Sequence, residues 1–191
     1  MPLITTLAGA SARGYGAFNI SAPEIVNFDS IASTSGENLN SVTFNTIPNK
    51  YKHLQLRLNI KPNGGGTGLA MAINGGVAVT PYNVMYASNS TNAVTGAANP
   101  TNEGFLTFAT LFGPSDSTPI LVDIVEANST TKFKTVRFFG GYHSNGSYTP
   151  GVWKGGWAFE TTAPISSITL KLTNGQTFHS LNRLALYGIG G

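Results

Sequence analysis

The chain contains no cysteine, few charged residues and no long apolar run. The absence of cysteine excludes disulfides and thiolate metal sites. Charged residues make up 10% of the 191 residues and the net charge is +3, whereas about 25% of a typical soluble domain is charged. No segment approaches the roughly 20 apolar residues of a membrane-spanning helix. We therefore expect no membrane insertion, and so small a net charge argues against nucleic acid as a partner.

Constellations of catalytic or metal-binding residues are also lacking. His53, His143 and His179 lie far apart in the sequence and form no metal-ligand spacing. Asp123 and Glu126 are three residues apart, so on a strand they face opposite ways and cannot form a glycosidase pair by themselves. No Gly-x-Ser-x-Gly motif is present. The sequence predicts a protein that is not an enzyme and has no metal and no cofactor.

Because charged residues are few, solubility must come from small uncharged polar residues. Asn, Ser, Thr and Gly together account for 79 of the 191 residues. Asn, Ser and Gly favour turns and Thr favours strands, so this composition is typical of many short strands joined by loops. The 20 aromatic residues argue against disorder.

Two segments alternate apolar and polar residues with a period of two. In His53–Ile60 four apolar residues occupy every second position, and Ile168–Leu172 repeats the pattern. Such a period indicates a strand with one face on a core and the other in water. Asn174-Gly175 follows the second segment and is a strong hairpin signal.

Further short strands are expected along the chain, and no segment predicts a confident helix. Residues 81–104 are weakly patterned, so we expect a long surface loop there. The fold class is therefore all-β, an antiparallel β-sandwich that is jelly-roll-like. The other predicted strands are Val42–Phe44, Leu69–Ile73, Phe105–Leu111, Ile120–Glu126, Lys132–Phe139, Gly156–Phe159 and Leu184–Tyr187.

The first 27 residues differ from the rest and predict an extended N-terminal arm before a sandwich domain of residues 28–191. Small residues bury too little surface to offset the entropy lost on ordering, so such an arm needs a partner surface. Arg13, Tyr15 and Phe18 would anchor it, because large side chains carry most interface energy. The alternative is that the arm packs on its own domain.

The glycine-rich segment 140–156 is the strongest candidate for ligand contact. Tyr142, Asn145, Tyr148 and Trp153 lie there among small polar residues, a composition typical of adaptable binding loops. Aromatic faces with Asn and Ser donors also suit sugar rings. The alternative is that these aromatic residues form core edges or subunit contacts.

The segment Lys132–Phe139 is both basic and aromatic, a combination that can bind single-stranded nucleic acid. On a strand, Phe133, Arg137 and Phe139 share one face, while Lys134 and Phe138 share the other. The pattern therefore predicts that one of the two aromatic sets belongs to the core.

Several segments, taken in order, resemble a family of small tailed-phage virion structural proteins. The resemblance covers most of residues 1–58 and 165–191, and the middle of the chain is variable. The segments that carry it are Leu3–Phe18, Phe28–Ser33, Val42–Arg57, Ile73-Asn74-Gly75, Ile165–Leu170 and Leu184–Ile189.

The resemblance implies a β-sandwich exposed on a phage particle, with no known catalytic residues to transfer. We expect a protein of the mature virion, assembled in the host cytoplasm, whose arm docks on other virion proteins. A tail fibre or tail-tip protein, as a homotrimer that contacts a host surface glycan or protein, is the first expectation. A capsid decoration or cement protein that stabilises the head is the alternative.

Overall fold

A computed structural model describes residues 28–65, 67–88, 92–97, 103–106, 117–142 and 151–190. The predicted arm, residues 1–27, lies outside the described residues. Within the described ranges the regular secondary structure consists of twelve strands and no helix. The strands are β1 (Phe28–Thr34), β2 (Ser41–Phe44), β3 (His53–Ile60), β4 (Leu69–Ile73), β5 (Tyr82–Ser88), β6 (Asn92–Ala97), β7 (Gly104–Phe105), β8 (Thr118–Val125), β9 (Lys134–Tyr142), β10 (Gly151–Phe159), β11 (Ile168–Leu172) and β12 (Arg183–Ile189).

The strands form two antiparallel sheets. The large sheet has eight strands in the order β1-β12-β3-β8-β9-β10-β5-β6, and the small sheet has four in the order β2-β11-β4-β7. One cluster of buried hydrophobic residues draws members from both sheets. The all-β antiparallel sandwich predicted from the sequence is confirmed.

Without the two hairpins β5–β6 and β9–β10, the strands pair in a regular order. In the remaining eight strands the first pairs with the last, the second with the seventh and the fourth with the fifth. Hairpin-paired strands wrapped in this way over two sheets describe a jelly roll. We interpret the body as a jelly roll whose large sheet is widened by the two hairpins.

Alternation along β3 determines which side of the large sheet meets the core. Leu54, Leu56, Leu58 and Ile60 are at most 4% exposed, and burying each such side chain contributes about 1.5–3 kcal/mol. The polar residues between them must then face away from the core. β3 pairs with β12 on one side and β8 on the other. Residues of these two strands that lie opposite an outward-facing residue of β3 therefore also face away from the core.

Two Asn-Gly pairs make the tight turns that their sequence predicts. Asn74-Gly75 and Asn174-Gly175 all have positive φ, between 50° and 80°, as a type I′ turn requires. The hairpin expected at Asn174-Gly175 is nevertheless wrong, because β11 and β12 belong to different sheets. The turn there redirects the chain across the sandwich.

One other expectation is wrong, and a second can be compared with the structure only in part. The long loop predicted over residues 81–104 contains the antiparallel pair β5–β6. The strand predicted at Phe105–Leu111 is described only as Gly104–Phe105, which pairs with β4, and residues 107–116 lie outside the described residues.

Large aromatic side chains line the inner face of the large sheet on β9 and β10. Trp157 packs against Phe138 and Phe159, with ring centroids 5.4 Å and 6.1 Å away. The large sheet has twice as many strands as the small one, so at equal strand spacing the small sheet cannot cover all of it. Bulky rings fill the inner face where the inserted hairpin β9–β10 widens the sheet.

Candidate functional site

The side of the large sheet that faces away from the core, here called the outer face, carries an unusual mixture of residues. The register places Arg57, Leu121, Phe139, Lys154 and Met85 opposite one another on β3, β8, β9, β10 and β5. These five side chains therefore form one row across five adjacent strands.

Exposed apolar side chains concentrate on this face. Of the eight large hydrophobic residues that are exposed among the described ones, five belong to it, namely Phe28, Met85, Leu121, Phe139 and Val152. Their exposed fractions run from 38% for Leu121 to 56% for Phe139. Single exposed apolar residues are ordinary, but a group on one surface marks an interaction site.

Arg57 is held in place at one side of the outer face. Its Nε donates to Oε1 of Gln55 at 2.9 Å, and Nε2 of Gln55 donates to Oδ1 of Asp123 at 2.8 Å. Its guanidinium carbon lies 4.8 Å from the ring centroid of Phe28 and 5.1 Å from that of Tyr187. The two rings are themselves stacked at 4.9 Å. Hydrogen bonds and cation–π contacts together fix the orientation of this guanidinium.

The outer face has an excess of positive charge. Arg57, Arg137, Lys154 and Arg183 are all exposed on it, and Asp123 is the acid that the register places among them. The ion pairs between described residues involve none of these four cations. They are Lys50–Asp29, Lys132–Glu126 and Lys171–Glu103.

The outward side of the small sheet is different in character. Thr43 and Thr169 face each other across β2 and β11, with their Oγ1 atoms 3.0 Å apart, and Lys171 lies opposite Ser41. The row of Lys171 continues with Ala70 on β4 and Phe105 on β7, so this surface carries one cation among small polar and apolar residues. Of the eight large hydrophobic residues that are exposed in the described part of the chain, none lies on this surface and five lie on the outer face.

The basic and aromatic segment divides as its strand pattern predicts. Phe138 is 3% exposed and Lys134 is fully buried, whereas Arg137 and Phe139 are exposed. Nζ of Lys134 donates to the carbonyl oxygens of Ser129, Lys132 and Thr162. Burial lowers the pKa of Lys134 below its ordinary value. This lysine ties two chain segments together and is unavailable to a ligand.

A further titratable group lies in the loop after β8. Nζ of Lys132 lies 3.2 Å from Oε1 of Glu126, and this hydrogen bond lowers the pKa of the Glu126 carboxyl. Glu126 also has a positive φ of 62°.

The predicted glycan contact at Trp153 requires a correction. Its side chain is 2% exposed, and Nε1 donates to the carbonyl of Leu106 at 3.0 Å. Its ring lies over Gly140, where an added Cβ would come within 2.8–3.0 Å of the indole. Trp153 alternates with the exposed Val152 and Lys154, so it points into the core. It belongs to the core and is not placed to contact a ligand.

The other predicted site residues remain predictions. Arg13, Tyr15 and Phe18 lie outside the described residues, as do Asn145 and Tyr148. The backbone of Tyr142 ends β9 and pairs with Gly151, and its side chain is outside the described part. None of these positions is brought together with the outer face by a described contact.

Sequence reasoning missed the outer face as a site. Arg57 was visible as a polar member of an alternating strand, and Phe139 shared a predicted face with Arg137. The missing information was the register, which sets these residues beside Leu121 on β8 and Lys154 on β10.

The acids of the described chain are mostly engaged in structural contacts. Asp29 accepts from Tyr51 at 3.0 Å, Asp123 accepts from Gln55, and Glu103 and Glu126 each pair with a lysine. Within the described ranges, no group of three or more His, Asp or Glu side chains could hold a metal ion. The same ranges contain no helix of the length and apolarity needed to cross a membrane.

Comparison of the chain with protein-family models, curated proteins and solved structures finds no match. The interpretation of function therefore depends on the chemistry of the outer face and on the segments that carry the resemblance.

Proposed function

We propose that this chain is a non-enzymatic structural protein of a bacteriophage virion, exposed on the particle as a tail fibre or tail-tip protein. In this proposal the 1–27 arm docks on other virion proteins and the sandwich domain contacts the host surface. Assembly as a homotrimer in the host cytoplasm is part of the same proposal.

The observation that carries the proposal is where the resembling segments lie. Residues 28–58 and 165–191 contain β1, β2, most of β3, β11 and β12. In the large sheet β1, β12 and β3 are neighbours, and in the small sheet β2 and β11 are neighbours. Segments from the two ends of the chain thus form one contiguous part of the sandwich. The variable middle supplies the inserted hairpins, which suits a common body that carries a variable recognition surface.

The outer face supports a role in contact more than a role in catalysis. It is broad, exposed and apolar with four cations, features that are typical of an interaction surface. Among the described acids, four are bonded to Tyr, Gln or Lys partners, namely Asp29, Asp123, Glu103 and Glu126.

A capsid decoration protein is the second candidate, and the same exposed apolar residues favour it. A sheet face with Phe139 and Val152 about half exposed could lie against a capsid subunit. In that case the outer face would be covered on the particle, whereas in a tail fibre it would be accessible.

The copy number per particle separates the two candidates. Particles purified from cells that express the chain would be analysed by quantitative gel electrophoresis and by labelling with an antibody against residues 28–191. A tail protein is expected at few copies and at one end of the particle, and a decoration protein over the whole head. Deletion of residues 1–27 should abolish incorporation in both cases. Absence of the chain from purified particles would overturn the virion proposal.

A further inference from the structure

We propose that the outer face binds an acidic polysaccharide, with a carboxylate on Arg57 and sugar rings on the apolar side chains between Arg57 and Lys154. This inference rests on the proposed host contact and names its chemistry. The occupant is argued from charge complementarity and from the shape of the surface.

The guanidinium of Arg57 is preorganised to bind a carboxylate. Its Nε is occupied by Gln55, and its flat guanidinium lies against the stacked rings of Phe28 and Tyr187. Its terminal nitrogens bond to none of the described residues. A guanidinium held in one orientation can donate two parallel hydrogen bonds to a carboxylate without first losing its freedom of rotation.

The row across the sheet suits a linear polymer. Arg57 and Lys154 are three strands apart in the same register, which is about 14 Å at the usual strand spacing. Leu121 and Phe139 fill the two positions between them. A chain that crosses the strands would meet a cation, two apolar surfaces and a second cation in turn. An acidic polysaccharide offers charged groups joined by rings with apolar C–H faces.

Other occupants fit less well. A second copy placed face to face would bring four cations against four cations, which is unfavourable. The arm of a neighbouring copy offers one acid, Glu24, along with Arg13. An acidic protein would need enclosed pockets for its anchoring side chains, whereas the outer face shows two open grooves beside Phe139.

The test measures binding of the full chain to polygalacturonate by calorimetry, with dextran as the uncharged polymer. Arg57→Gln is expected to weaken binding at least about tenfold, as loss of a charge-assisted hydrogen bond predicts. Lys171→Gln is the matched control, because it removes the same charge from the small sheet. That control should change affinity by less than about twofold. Circular dichroism establishes that both variants are folded.

A second pair of variants tests the contact with sugar rings. Phe139→Ser is expected to weaken binding about fivefold, and the exposed Leu39→Ser, in the loop between β1 and β2, should leave it unchanged. Poly-glutamate serves as a polymer with carboxylates and no rings. It should bind the wild type more weakly than polygalacturonate does and should be insensitive to Phe139→Ser.

Several results would overturn the inference. If Arg57→Gln and Lys171→Gln weaken binding equally, the attraction is diffuse and there is no site on the outer face. If poly-glutamate binds as tightly and responds to the same variants, the occupant is an acidic peptide. If polygalacturonate does not bind at low salt, the proposed polysaccharide site is also rejected. The particle experiment above is independent of these outcomes, so the virion proposal and the polysaccharide site can fail separately.

Discussion

Replacement of Trp153 by alanine tests whether this residue belongs to the core or to a binding surface. Loss of a buried tryptophan side chain costs about 3–5 kcal/mol through lost burial and the cavity left behind. The carbonyl of Leu106 also loses its donor, which costs about 1 kcal/mol or more if water does not replace it. Domains of this kind have total unfolding free energies of about 5–15 kcal/mol. The variant should therefore unfold about 10 °C or more below the wild type.

The assay is thermal and urea unfolding followed by circular dichroism, because Trp157 complicates fluorescence. Val152→Ala is the matched control, since Val152 is the preceding residue on β10 and is 50% exposed. Its effect should stay within about 0.5 kcal/mol. If Trp153→Ala lowers stability by no more than this control does, the indole is not in the core. The prediction that Trp153 contacts a ligand would then return.

Three further predictions concern stability and use the same unfolding assay. Gly188→Ala should cost about 1–3 kcal/mol, because its Cβ would overlap the ring of Tyr51, and Tyr51→Leu should relieve part of that cost. Asn74→Ala should cost about 2 kcal/mol, since Oδ1 accepts from the backbone N–H of Ser166 at 2.9 Å and Nδ2 donates to Pro164 at 3.0 Å. Asn74→Gly keeps the positive φ, so it isolates the side-chain part of that loss. The wild type should gain stability relative to Lys134→Met as the pH rises towards 10.5.

The sign of the last prediction follows from proton binding. Burial lowers the pKa of Lys134 in the folded state, so between that pKa and 10.5 the unfolded chain binds more protons. Stability then rises with pH in this window, and Lys134→Met removes the effect. If the difference in unfolding free energy between the two proteins does not change with pH over this window, the burial of the Lys134 amine is contradicted.

For Gly188→Ala, the double variant with Tyr51→Leu provides the check. If the two changes in unfolding free energy simply add, the overlap between the Cβ and the ring of Tyr51 is contradicted.

The sequence predicted most reliably the strands in which outward positions are polar. β3 and β11 alternate cleanly, and both were placed correctly. β5 was not predicted, because its outward residue Met85 is as apolar as its buried neighbour Val84 and the two residues show no alternation. Met85 is nevertheless 48% exposed. The apolar residue that β5 contributes to the outer face therefore removed the pattern by which this strand could have been predicted.

The site was harder to predict than the fold because it depends on pairing. Arg57 and Phe139 are 82 positions apart in the numbering, and they meet in one row through β8. Pairing at long range follows from the fold as a whole and leaves no local pattern. Trp153 was misjudged for the converse reason, because an aromatic residue in a glycine-rich segment has the same composition whether it points inwards or outwards.

The two hairpins that widen the large sheet have a consequence for how this protein can diversify. β9–β10 is inserted between β8 and β11, and β5–β6 between β4 and β7, so neither hairpin alters the order in which the other eight strands pair. A lineage can therefore lengthen, shorten or exchange these hairpins while the body folds as before. Proteins that share this body should differ in the width of the large sheet, and with it in the extent of the outer face.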